Sequence, residues 1–188
     1  MRTVRSVAVL ALVAGLILPA TTVSARIPAG RLGVGDSIML SAEGELRSFE
    51  VDVRAKVGRQ FGQGLARLRS LEINGLLPRR VIVHLGTNGP IDPADCEAVP
   101  EVVGPNRQLF LVTVRVPRSW MAKNNATLRS CVEANEHTRL IRWAMVSGWH
   151  PEWFADDGYH LNALGQQRYA SYVGRQVDAI DRSSESSG

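Results

Sequence analysis

Lysine is nearly absent from this sequence, and aromatic residues are few. Lys56 and Lys123 are the two lysines among 22 basic residues, and aromatic residues make up 6% of the 188-residue chain. No segment interleaves lysines with aromatic side chains, the composition typical of nucleic-acid-binding surfaces. The formal net charge of +4 therefore does not indicate a nucleic-acid partner.

The sequence also lacks an apolar run of about 20 residues, the length that a membrane-spanning helix requires. Its longest run, Val7 to Leu18, follows two arginines and is ended by Pro19. The small residues at 23–25 then match the positions that a signal peptidase reads. These features favour a signal peptide at 1–25, cleaved after Ala25, over a single-pass anchor. We therefore expect a secreted or extracytoplasmic protein with no stable membrane insertion after cleavage.

Internal repeats are absent, and the part of the chain after the signal peptide has the length of one domain. We place this domain at 26–182. The last residues, 183–188, are almost entirely serine with one glutamate and one glycine. This composition is typical of a disordered tail.

Cysteine is limited to Cys96 and Cys131. Two thiols cannot build a structural zinc site without several of the four histidines, so we predict no metal site. In an oxidising extracytoplasmic compartment an even pair of cysteines more often forms a disulfide than stays reduced. Two separate buried thiols are the alternative.

Strand-like and helix-like patterns alternate along the rest of the chain. Strands are predicted at Arg31–Gly35, Val51–Val57, Arg80–Leu85, Leu109–Val116 and Thr138–Trp143. Helices are predicted at Ser37–Ser48 and Gln60–Asn74, from Asp92-Pro93 onward, at Asn124–Glu136 and at Asn162–Ile180, with Asn162 as the cap. This alternation predicts an α/β fold in which helices cover both faces of a parallel sheet.

Four segments with polar or glycine residues follow strands of this predicted sheet. Ser37 follows the first strand, Gly58 the second and Asn88 the third, while the loop from Asp157 to His160 follows the fifth. Right-handed crossovers place every strand-to-helix loop at one edge of a parallel sheet, where ligands bind. We therefore expect these residues to converge.

Ser37, His160 and Asp157 have the chemistry of a nucleophile, its base and an orienting carboxylate. Ser37 lies at the predicted start of a helix, after a glycine turn. An aspartate three residues before a histidine can accept a hydrogen bond from Nδ1, which leaves Nε2 free to take a proton from a serine hydroxyl. The alternative is a solvated surface loop in which Asp157 only caps a turn. Because Ser37 and His160 are expected at the same edge of the sheet, we favour the catalytic triad over the surface loop.

Three groups are candidates for an oxyanion hole. The backbone N–H of Ser37 belongs to the unpaired donors of a first helical turn. Gly58 lies where a strand ends, and a glycine there lets its N–H approach a substrate oxygen closely. Asn88 follows the most apolar strand, and its side-chain amide can donate into the site. The alternative for Asn88-Gly89 is an ordinary turn.

Gly35-Asp36-Ser37, the isolated Gly58, Gly86-Thr87-Asn88 and the Asp157-x-x-His160 motif occur in an order that resembles the SGNH/GDSL hydrolase superfamily. The resemblance spans essentially the whole chain after the signal peptide. It extends to three segments that look like SGNH domains attached to membrane acyltransferases, which act on cell-envelope glycans. These segments are 55–60, 84–89 and 150–158.

The resemblance implies a flavodoxin-like three-layer sandwich with a five-stranded parallel sheet. It implies Ser37, Asp157 and His160 as the catalytic residues, and Ser37, Gly58 and Asn88 as the oxyanion hole. One departure concerns the third motif, in which the superfamily pattern continues with an aspartate. Gly89 stands there instead, so no acidic neighbour orients this loop.

The expected activity is a serine esterase that acts on acyl esters, with acetyl esters of envelope glycans as the favoured substrates. No membrane acyltransferase domain is recognised in the sequence. An O-acyltransferase that works with a separate membrane acyltransferase is therefore the first alternative. A non-catalytic envelope glycan-binding module is a second, but the intact Ser37, Asp157 and His160 disfavour it.

An FMN-binding flavodoxin-like protein is a third alternative. The turn around Ser37 lacks the run of hydroxyl and glycine residues that would hold a phosphate. We therefore predict no cofactor.

Overall fold

The computed structural model describes residues 27–28 and 30–185, so the signal peptide predicted at 1–25 lies outside the described residues. Five parallel strands form one sheet in the order β2-β1-β3-β4-β5. The strands are β1 (Arg31–Gly35), β2 (Val51–Ala55), β3 (Arg80–His84), β4 (Gln108–Val112) and β5 (Thr138–Ile141). This order is flavodoxin-like, and it confirms the predicted α/β fold with a five-stranded parallel sheet.

Seven α-helices cover the two faces of the sheet within the described residues. They are α1 (Ser37–Ser41), α2 (Glu43–Leu46), α3 (Phe61–Ile73), α4 (Pro93–Val103), α5 (Met121–Glu133), α6 (Trp143–Ser147) and α7 (Ala163–Glu185). Two 3₁₀ turns, Arg47–Phe49 and Pro151–Trp153, precede β2 and α7. In the described part of the chain no helix has the length and apolar character needed to cross a bilayer.

The strands divide their side chains between two cores because successive residues point to opposite faces. Val81 and Val83 pack against α3, α4 and α5 on one face, whereas Ile82 packs against α1, α2, α6 and α7 on the other. Both cores contain side chains that are fully buried. The sheet is therefore the middle layer of a three-layer sandwich.

Four predicted strands end earlier in the structure: the second ends at Ala55 instead of Val57 and the third at His84 instead of Leu85, and the fourth and fifth end where side chains bind the nearby backbone. The predicted strand Leu109–Val116 ends at Val112, and Asn125 then bonds both the N–H and the carbonyl of Val114 at 2.8 Å. The predicted strand Thr138–Trp143 ends at Ile141. Trp143 instead begins α6, where the Thr113 hydroxyl accepts a hydrogen bond from Ala144 N at 2.9 Å.

The predicted helix Ser37–Ser48 is divided into α1, α2 and a 3₁₀ turn. Ser41 ends α1, and its hydroxyl donates to the carbonyl of Ile38 at 2.9 Å, a side-chain bond that competes with regular helix geometry. At the other end of the chain, Asn162 caps α7 as predicted and accepts from Gly165 N at 2.9 Å. α7 continues to Glu185, into the segment 183–188 predicted as a tail, and residues 186–188 lie outside the described residues.

A disulfide joins Cys96 of α4 to Cys131 of α5, and the Cα atoms lie 6.3 Å apart. Both cysteines are buried in the core beneath these helices. The bond closes a loop with a sequence separation of 35 residues. It thereby links α4 and α5 covalently.

We expect replacement of both Cys96 and Cys131 by alanine to lower the free energy of unfolding by about 2–4 kcal/mol, because the bridge restricts the unfolded chain. Urea titrations of the oxidised wild type and of the double variant measure this difference. Reductant during unfolding should lower the wild-type midpoint and leave the variant unchanged. Equal midpoints for the oxidised wild type and the variant would contradict a stabilising role.

Candidate active site

Ser37 is the first residue of α1, directly after the turn that ends β1. Asp36 caps the helix, and its Oδ1 accepts from Ile38 N at 3.0 Å. The turn requires a close approach between strand and helix, since a Cβ atom on Gly35 would lie 2.5 Å from Cβ of Met39. Glycine at 35 therefore lets α1 fold back on β1 and hold Ser37 at the carboxyl edge of the sheet.

The Asp157–His160 loop precedes α7 and is folded by the carboxylate of Asp157. Oδ1 of Asp157 accepts from Tyr159 N at 3.1 Å and from His160 N at 3.0 Å. The other oxygen, Oδ2, lies 2.6 Å from Nδ1 of the His160 ring. The same carboxylate thus shapes the turn and binds the imidazole.

The ring of His160 connects this loop to the start of α1. Its Nε2 lies 3.1 Å from Oγ of Ser37, although the two residues are 123 positions apart in the chain. The side chains of His160 and Asp157 are 40% and 42% exposed. The structure therefore brings Ser37, His160 and Asp157 into one hydrogen-bonded chain that is open to solvent.

The charge state of Asp157 determines the direction of these bonds. Desolvation raises the pKa of Asp157, but hydrogen bonds from the His160 side chain and from the backbone N–H groups of His160 and Tyr159 outweigh it and lower the pKa to about 2. The ionised carboxylate can only accept. Nδ1 of a neutral His160 therefore carries the proton, and Nε2 accepts from the Ser37 hydroxyl.

Gly58 and Asn88 lie in the loops that follow β2 and β3, the two neighbours of β1 in the sheet. The strand register places Gly35 opposite Ala55 of β2 and His84 of β3, so three loops leave neighbouring points of the sheet edge. Gly58 is exposed with φ +71°, a left-handed conformation that favours glycine, and open space surrounds its missing Cβ.

Asn88 is half-buried and is held by the residues that follow Gly58. Its carbonyl accepts from Nε2 of Gln60 at 2.8 Å, and its Nδ2 donates to the carbonyl of Arg59 at 3.4 Å. The structure thus connects the second and third loops directly.

Arg59 and Arg115 also support the site, and the sequence pattern did not identify them. Arg59 donates to the carbonyl of Gly35 at 3.1 Å, directly before the Asp36-Ser37 turn. Arg115 donates to the carbonyl of Gly158 and lies 4.0 Å from the ring centre of Phe154. The position of Arg59 next to Gly58 was a signal that could have found it, whereas nothing in the sequence around Arg115 marks it.

The remaining histidines lie outside the triad. His84 is buried, and its Nδ1 lies 2.8 Å from the hydroxyl of Tyr169. His137 is exposed, and His150 stacks on Trp153 with ring centres 3.8 Å apart. Among the described residues, no three histidine, cysteine, aspartate or glutamate side chains are grouped so that they could hold a metal ion.

Solved structures with a similar fold include an O-acetyltransferase domain and a carbohydrate esterase. The chain matches the C-terminal catalytic domain of Streptococcus pneumoniae peptidoglycan O-acetyltransferase A, with a TM-score of 0.75, 21% identity and coverage of 84% of this chain and 97% of that domain. It also matches a family 3 carbohydrate esterase from Clostridium thermocellum, with a TM-score of 0.66, 16% identity and coverage of 82% and 98%. No protein-family model matches the chain.

The chain shares the fold of these solved structures, in agreement with the resemblance to the SGNH/GDSL hydrolase superfamily seen in its motifs. Among curated proteins it is 34% identical over 144 residues to a Bacillus subtilis protein named "Putative peptidoglycan O-acetyltransferase YrhL". It is 27% identical over 150 residues to O-acetyltransferase OatA of Staphylococcus aureus. These matches cover 76% and 77% of this chain but only 23% and 24% of the relatives.

Asp36, the neighbour of Ser37, lies in an environment opposite to that of Asp157. Its side chain is fully buried beneath the turn. Burial raises the pKa of Asp36 from 3.8 to about 6, and the hydrogen bond from Ile38 N only partly opposes this shift. The folded protein therefore holds a proton on Asp36 at pH values where the unfolded chain has lost it.

We expect the stability of the wild type to fall relative to Asp36→Asn as the pH rises from 4 to 7. The raised pKa means that the native state binds more protons than the unfolded state between pH 3.8 and about 6. The difference in unfolding free energy should change by about 2 kcal/mol over this interval. Urea titrations of both proteins at several pH values measure it. Parallel pH profiles would show that Asp36 does not titrate in this way.

Proposed function

We propose that this chain is an extracytoplasmic serine enzyme that takes an acetyl group from an ester onto Ser37 and passes it to water or to a hydroxyl of an envelope glycan. The observation that carries the proposal is the hydrogen-bonded chain from Asp157 through His160 to Ser37, at 2.6 and 3.1 Å. Such a chain is the arrangement that activates a serine hydroxyl.

In the first step the Ser37 hydroxyl attacks the acetyl carbonyl while Nε2 of His160 takes its proton. Asp157 keeps the ring in the required tautomer and stabilises the imidazolium that forms. The ester bond then breaks, and the leaving alcohol receives the proton from His160. The acetyl group remains on Oγ of Ser37.

The negative oxygen of the tetrahedral intermediate needs donors that are in place beforehand. We assign this role to the N–H of Ser37, the N–H of Gly58 and the side-chain amide of Asn88. The open space at Gly58 and its exposure admit a substrate oxygen. One N–H of the Asn88 amide points to Arg59 O at 3.4 Å, and the other is the one that we assign to the oxyanion.

In the second step His160 takes a proton from the acceptor as the acceptor attacks the acetyl carbonyl. The bond to Oγ of Ser37 then breaks, and His160 returns the proton to Oγ. Water as acceptor gives an esterase, and a sugar hydroxyl gives an O-acetyltransferase. The names of the curated relatives favour peptidoglycan as acceptor and acetyl as the transferred group. The 40% exposure of His160 favours access of water as well. In the transfer reaction, the acetyl donor would be supplied by a separate membrane acyltransferase.

We expect Ser37→Ala to lower kcat for p-nitrophenyl acetate by at least about 10³-fold, because the nucleophile is lost. The same variant should fail to acetylate a chito-oligosaccharide offered as acceptor, as followed by mass spectrometry. Ser41→Ala is the matched control, since Ser41 lies in the same helix and bonds only the carbonyl of Ile38. It should retain activity.

The outcomes of this pair of assays separate the two acceptors. Nitrophenol release without sugar acetylation identifies an esterase, and acetylated sugar identifies a transferase. Full activity of a folded Ser37→Ala protein would remove Ser37 from the mechanism. Inactivity of the wild type towards both substrates would favour the non-catalytic glycan-binding module instead.

We expect Asp157→Asn to lower kcat by about 10³- to 10⁴-fold while the protein stays folded, because an amide can hold the imidazole in the wrong tautomer. Asp156→Asn is the control, since Asp156 is an exposed neighbour outside the Asp-x-x-His spacing, and its effect should be small. The measurement is kcat with thermal melts as a check on folding. A silent Asp157→Asn beside a crippling Asp156→Asn would reverse the assignment of the orienting carboxylate.

A further inference from the structure

The loop that contains Asn88 is bound by a buried asparagine from another part of the chain. Asn124 lies in the first turn of α5 and is fully buried. Its Nδ2 donates to the carbonyl of Gly86 at 2.9 Å and to the carbonyl of Gly89 at 2.8 Å. Its Oδ1 accepts from Ile91 N at 2.8 Å. One side chain thus satisfies three backbone groups of a single loop.

The two carbonyls that Nδ2 of Asn124 binds lie on either side of Asn88 in the sequence. Gly86 precedes Asn88 by two residues, and Gly89 follows it directly. Because one nitrogen atom binds both carbonyls, the distance between them is fixed, and with it the turn that orients Asn88. Asn124 therefore holds the turn on both sides of Asn88.

The loop sequence is adapted to this asparagine. A Cβ atom on Gly86, whose φ is +115°, would lie 3.2 Å from Nδ2 of Asn124 and 2.9 Å from Cδ1 of Ile91. Glycine at 86 thus provides both the left-handed conformation and the space for the amide. The chain also has Gly89 where the superfamily pattern has an aspartate, so the orientation of the loop has to come from elsewhere.

We propose that Asn124 is a positioning residue that fixes the Gly86–Ile91 loop and thereby aims the Asn88 amide at the reacting oxygen. This inference rests on the proposed function, in which Asn88 is an oxyanion donor. Asparagine is suited to the role because it presents donors and an acceptor together. An aspartate would place a carboxylate oxygen against the carbonyls of Gly86 and Gly89.

The test is a double-mutant cycle between positions 124 and 88, with p-nitrophenyl acetate as the probe. Asn124→Ala should lower kcat by about 10- to 100-fold with little change in KM, because a small displacement of a catalytic group has effects of this size. In the Asn88→Ala background the same change should cost less than about 3-fold, because the group that Asn124 positions is already absent.

Asn125→Ala is the matched control on the same helix. Asn125 is also buried and makes two bonds of 2.8 Å, but to Val114 in the loop after β4. Its effect on kcat should be the same with and without Asn88. Hydrogen exchange gives a readout that is independent of activity: exchange at 86–91 should rise in Asn124→Ala and stay unchanged in Asn125→Ala.

Asn124→Asp is a second variant, for use if the alanine variant is too unstable to assay. It preserves the shape and the acceptor for Ile91 N but loses both amide hydrogens. Asn124→Asp should lower kcat as Asn124→Ala does, and its effect should again be smaller in the Asn88→Ala background.

Equal losses from the Asn124 variants in both Asn88 backgrounds would overturn this inference and leave the proposed function intact. Unchanged hydrogen exchange at 86–91 would overturn it as well. Absence of Ser37-dependent activity in the wild type would instead overturn the proposed function, and the exchange experiment would then decide the positioning of the loop alone.

Discussion

The parallel pairing of β1 with both β2 and β3 is the constraint on which the site depends. This pairing places the ends of three strands side by side, with Gly35 between Ala55 and His84. The loops that follow must then leave the same edge of the sheet, and they contain Ser37, Gly58 and Asn88. β1 is an inner strand, paired on both edges and buried on both faces of the sheet.

The two carboxylates near Ser37 have different pKa values because one is exposed and the other is buried. Asp157 is exposed, is bound by three N–H groups and has a pKa of about 2, whereas the buried Asp36 has a pKa of about 6. Two loops at this edge are held by buried amides: Asn124 makes three bonds to the Gly86–Ile91 loop, and Asn125 makes two to Val114. A neutral amide satisfies backbone groups in the interior without the desolvation cost of a charge.

The sequence by itself determined the architecture and the identities of the residues that meet at the sheet edge. The alternation of apolar strands with amphipathic helices is a local pattern, and β1 and the N-cap of α7 lie where this pattern predicts them. Because right-handed connections bring all strand-to-helix loops to one edge, the convergence of Ser37 and the Asp157–His160 loop also followed from the sequence. The distances between these residues could not be predicted from the sequence.

Only the tertiary structure decided where several elements end and how the third loop is held. β4 stops at Val112 because Asn125 binds the backbone of Val114, and Trp143 begins a helix because Thr113 accepts from Ala144 N. The loop that lacks an aspartate at position 89 is fixed by Asn124. In each case a side chain distant in sequence satisfies backbone groups. Local propensity contains no information about such partners, because they become neighbours only when the sheet has formed.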